Sequence, residues 1–151
     1  MNQGEARHTA ESGSALVEFI GAALLLLLPL MYLLLAIGRI QAAQFAVEGA
    51  ATSAARAMAM APSSAEAAER ARLAVSVALA DQGFVAEEVL IDEGLRIECS
   101  ADPCLTPGAT IVASVRVSVS LPFVPSLVRS WLPVEVAAQA RARVDRYTEV
   151  R

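Results

Sequence analysis

Lysine is absent from the 151 residues, and the single histidine, His8, stands near the amino terminus. Beyond residue 8 the chain therefore has no His or Lys to serve as base for a Ser-His, Cys-His or Ser-Lys nucleophile. Histidine ligation of zinc is excluded with it, and two cysteines fall short of the four ligands that a structural zinc takes. No Gly-rich phosphate loop is present. Basic charge is scarce: 12 Arg stand against 16 acidic residues, a formal net charge of −4. A nucleic-acid partner, which requires a basic face, is not expected. Only carboxylates remain for acid and base work, and Glu87-Glu88 and Asp92-Glu93 read as solvated loop charges. The expectation is a protein that is not an enzyme and takes no cofactor, metal or small-molecule substrate.

Aliphatic residues fill the space left by these absences, with 56% of the chain hydrophobic. From Phe19 to Ile37 no residue is charged, and about 20 helical residues cross the roughly 30 Å hydrocarbon core of a bilayer. A cleaved signal peptide has an apolar core of only about 7 to 15 residues and a small-x-small site behind it. Ala36-x-Gly38 is a poor version of that site. The remaining chain is too small to enclose such a helix on all sides, so the segment reads as a membrane span. Pro29 lies within it, removes one backbone hydrogen bond and predicts a kink.

Glu18 stands at the edge of this run, where a carboxylate is costly and by default marks function. In a helix it lies one turn from Ser14. If the chain is cut after Gly13, Ser14 becomes an amino terminus whose ammonium pairs favourably with Glu18 at this spacing. The same carboxylate could instead meet the amino terminus of a neighbouring subunit.

Gly13 followed by Ser-Ala-Leu-Val-Glu-Phe resembles the prepilin-peptidase site of type IVb pilins and of the TadE-like and TadG-like pseudopilins of Flp-type (tight-adherence) pili. The resemblance implies a cut between Gly13 and Ser14, with Glu18 and Phe19 at the fifth and sixth mature positions acting in recognition or assembly. It further implies a prepilin peptidase, other pilins or pseudopilins and a pilus assembly platform as partners. One departure concerns the leader, residues 1–13, which carries one Arg, one His and two Glu where the family commonly has more basic residues. Arg7 and Arg39 flank the span on either side, so the positive-inside rule does not orient it. A cytoplasmic amino terminus follows from the resemblance and from the cysteines.

Downstream, residues 39–61 are helix-forming and free of proline, so the span is expected to continue as one long helix. Phe45, Thr52 and Ala55 or Ala59 share a face on which small residues allow close packing. Pro62 ends this helix, and Ser63 with Glu66 forms a capping-box start for a second helix running to Gln82 and stopping at Gly83. Leu73, Val77 and Ala80 are read as its core stripe, widened by Val75 and Leu79.

From residue 89 the period changes to two. Leu95-Ile97-Cys99, then Ile111 to Leu121, then Val134 to Val144 alternate apolar with polar, giving three antiparallel strands that the second helix would cover. Cys99 ends the first of these strands and Cys104 stands in the turn that joins it to the second, where Asp102-Pro103 and Pro107-Gly108 are turn signals. The two cysteines suit a local disulfide, which requires an oxidising compartment. The segment 121–133, with three prolines among apolar residues including Trp131, reads as core packing, with a membrane-interface or subunit contact as the other options.

The combined expectation is an α+β, pilin-like protein: leader 1–13, transmembrane helix 14–38 and extracytoplasmic domain 39–151. The pseudopilin resemblance makes it a minor subunit in pilus biogenesis or a related secretion apparatus. The competing reading is a signal-anchored extracytoplasmic binding protein that no prepilin peptidase processes.

Overall fold

The computed structural model describes residues 5–84, 94–119, 121 and 134–146, with side chains from Ser14 onward. Two helices, α1 (Glu5–Ala59) and α2 (Ser64–Asp81), precede three strands, β1 (Leu95–Cys99), β2 (Thr110–Val119) and β3 (Val134–Arg143). The fold is the expected α+β arrangement of a long apolar helix, a second helix and an antiparallel sheet. The expected roles of residues 87, 88, 92, 93 and 122–133 lie outside the described residues.

The chain divides into two units, residues 1–37 and 38–151. In the first, α1 runs helical through Pro29, and the large apolar side chains from Leu16 to Ile37 are exposed.

In the second unit, α1 ends where Pro62 forbids continuation. Ser63 then caps α2 in extended backbone, its Oγ accepting from the Glu66 N–H at 3.4 Å. The Glu66 carboxylate does not close the capping box by reaching back. It accepts from Arg70 one turn on, at 2.9 Å. At the other end, the Phe84 N–H donates to the Leu79 carbonyl and the Gly83 N–H to the Ala80 carbonyl. This is a Schellman stop, and Gly83 supplies the φ of +75° that it needs. Phe84 and Leu79, the hydrophobic pair that accompanies such a stop, are both buried.

The sheet has the order β1-β2-β3, with Leu95 opposite Val115 and Val115 opposite Ala138. Ile111, Ala113, Val115, Val117 and Val119 are buried, as the period of two requires. Gly94 is obligatory before β1, because a Cβ there would sit 2.5 Å from the Arg116 carbonyl oxygen. The opposite face of the sheet carries Arg96, Glu98, Arg116, Glu135, Arg141 and Arg143.

Two details of the helical packing correct the sequence reading. The buried side of α2 is Ala67, Ala71, Val75 and Leu79, whereas Leu73, Val77 and Ala80 are exposed. The four buried positions form one i, i+4 row, and Ala67 and Ala71 let the helix approach closely; the larger Leu73 and Val77 fall on its outer side. Likewise Phe45 and Thr52 point outward, and the buried side of α1 is Ala43, Ala46, Val47, Ala50, Ala51, Ala54, Ala55 and Met58. Alanine has too little side chain to signal a core face by hydropathy, so Phe45 misdirects the reading. These α1 residues share one core cluster with α2, Phe84 and the sheet. The cover of the sheet is therefore not α2 alone.

Candidate functional site

Gly13, Ser14, Glu18 and Phe19 all lie within α1. Helical geometry sets Ser14 and Glu18 one turn apart on a single face, and Ser14 through Ile20 are exposed. Among the described residues nothing shields Ser14 to Ile20. The bond between Gly13 and Ser14 lies in helical backbone, and glycine there costs the helix about 1 kcal/mol relative to alanine. The site is thus a helical turn weakened at the position where the resemblance places the cut.

The apolar helix that follows satisfies the length and composition of a membrane span, with 6% of its most apolar window buried. A soluble core helix passing the same test would be mostly buried. This one leaves Leu25, Leu26 and Leu28 between 64% and 77% exposed. It is long and apolar enough to anchor the chain in a membrane.

Cys99 and Cys104 form a disulfide, with Cα atoms 5.3 Å apart. The bridge closes the turn leaving β1, where the Asp102-Pro103 peptide is cis. Hydrogen bonds fix the remainder: the Ser100 N–H donates to the Thr110 carbonyl, and the Thr110 N–H donates to Ser100 Oγ at 2.8 Å. The Thr106 hydroxyl donates to the Pro103 carbonyl at 2.6 Å. Leu105 is turned into the core.

Among the described residues no polar or charged side chain is buried, and no group of three potential metal ligands comes together. The surface of the described residues includes two depressions. One, of about 470 Å³, lies on the sheet between Arg96, Ser114, Arg116 and Gln139. The other, of about 520 Å³, is an apolar groove between α1 and α2.

Sequence reasoning missed two features. The Arg39 guanidinium lies 4.3 Å from the centroid of the buried Phe84 ring, a cation–π contact joining the residue after the apolar run to the end of α2. A lone Phe beyond a helix-stopping Gly was the only signal available. The apolar groove was hidden because Leu73 and Val77 were assigned to the core. Comparisons with protein-family models, with curated proteins and with solved structures return no match.

Proposed function

We propose that this chain is a TadE-like pseudopilin. It is inserted by its apolar helix with the amino terminus cytoplasmic, cut between Gly13 and Ser14 by a prepilin peptidase, and used in the biogenesis of a Flp-type pilus or a related secretion apparatus. Its role is mechanical rather than catalytic. The observation that carries the reading is the exposed helical turn Ser14 to Phe19 standing directly before a largely exposed apolar helix. Support comes from the attached α+β unit, whose Cys99–Cys104 disulfide fits an oxidising, extracytoplasmic setting. Within the span, cleavage exposes an ammonium that Glu18 neutralises, either in its own chain or in a neighbour. A peptidase must unwind the turn before cutting, and Gly13 makes that unwinding easier.

The test is the mass of the amino-terminal peptide from native membranes, for the natural chain and for Gly13→Leu. A start at Ser14 that disappears in Gly13→Leu supports the proposal. A start at Met1, or just beyond Gly38, overturns it and favours an anchored or secreted binding protein.

A further inference from the structure

The apolar groove has an unusual pattern on α2. Its lining residues there are Arg70, Leu73, Ala74, Val77, Ala78 and Asp81, spaced alternately by three and one, which places them on one helix face. Turning that face about a two-fold axis midway along it sets Arg70 opposite Asp81, Leu73 opposite Ala78 and Ala74 opposite Val77. Every charged residue meets the opposite charge, and every large side chain meets alanine. We infer that the outer face of α2 is a self-recognition surface, and that its occupant is the antiparallel α2 of a second copy of this chain.

Three further observations support a second copy as occupant. Leu73, Val77 and Met60, just past the end of α1, are more than half exposed, while Ser53 and Ala57 give the groove a low floor. Asp81 sits in the last turn of α2, which carries no basic residue, so its charge opposes the helix dipole. It makes no ion pair among the described residues. In the pair, Asp81 receives both the partner's Arg70 and the amino-terminal half of the partner helix. Arg70, already held toward this face by Glu66 at 2.9 Å, bridges the two carboxylates.

One helix face buries less than the roughly 1,200 Å² of a stable interface, so the association is weak in free solution. Tethering copies in a membrane raises their effective concentration. The inference does not depend on processing at Gly13.

The experiment is sedimentation equilibrium of the full chain in detergent micelles over a wide concentration range. A reversible dimer is expected, and Leu73→Glu abolishes it. Arg70→Asp and Asp81→Arg each replace two attractions by two repulsions and weaken it about tenfold. The combined variant restores affinity to within about threefold, because the reversed charges again face each other. The native cysteines are paired, so copies with Leu73→Cys and copies with Ala78→Cys cross-link with each other faster than with themselves. A chain that stays monomeric overturns the inference. So does a dimer indifferent to Leu73→Glu, a combined reversal that fails to recover, or self cross-linking that outpaces the mixed reaction.

Discussion

Two stretches of one helix, the first uncharged and leucine-rich and the second alanine-rich, differ in their surroundings. Between residues 19 and 37 leucine is the commonest residue and the leucines stand exposed; between 43 and 58 alanine is the commonest, and Ala43, Ala46, Ala50, Ala51, Ala54 and Ala55, on one side of the helix, are at most 2% exposed. Hydropathy ranks the leucines as the stronger candidates for a core, yet the alanines form it. What separates the stretches is size. A ring of leucines holds neighbouring helices away and offers a broad apolar surface of the kind that lipid matches. Alanines let backbones come close, so stabilisation arises from many short contacts rather than from large buried area.

The sharpest way to break this contrast is to put charge into the leucine stretch. Leu27→Arg moves one position from about −0.5 to about +3 kcal/mol on the insertion scale. Most of the chain should leave the membrane pellet on alkaline extraction. A Leu27→Arg chain that remains fully integrated would show that this stretch is not the anchor.

The same exchange made in opposite directions gives a smaller effect and a cleaner comparison. Ala50 is fully buried, so Ala50→Leu forces extra methylenes into a close helix contact and should cost about 1–3 kcal/mol. Leu27→Ala, on an exposed surface, should change the thermal unfolding of the same protein in micelles by less than about 0.5 kcal/mol. Equal losses at the two positions would erase the distinction between the stretches.

The sequence was legible wherever one residue carries an unambiguous physical constraint. Pro62, Ser63 and Gly83 fix the ends of α2, and the alternation in 110–119 and 134–143 fixes two strands with their inner faces. The disulfide followed from two cysteines across a short turn. Legibility failed where alanine dominates, because a stripe of alanines looks alike from every side of a helix. Both misassigned faces, that of Phe45 and that of Leu73 and Val77, arose from treating the largest apolar residue as the buried one. For the candidate site, the motif from Gly13 to Phe19 is local and entirely visible in sequence, and the structure adds its helicity and the exposure of Ser14 to Phe19. The Arg39–Phe84 contact joins residues 45 apart, and no periodicity announces it.

That contact lies where the leucine stretch gives way to the alanine stretch, and it offers the finest test of the boundary. Phe84 is buried and Arg39 is half-buried, so the guanidinium is partly desolvated over the ring. Arg39 also makes another interaction, and a single Arg39→Gln measurement would mix the two. A double-mutant cycle with Phe84→Leu separates them, since leucine keeps the burial and removes the π face. The coupling energy should be about 0.5–1 kcal/mol in favour of the natural pair, read from thermal unfolding. A coupling near zero would mean that Phe84 acts only by its bulk, and that the leucine-to-alanine change alone defines where the folded unit begins.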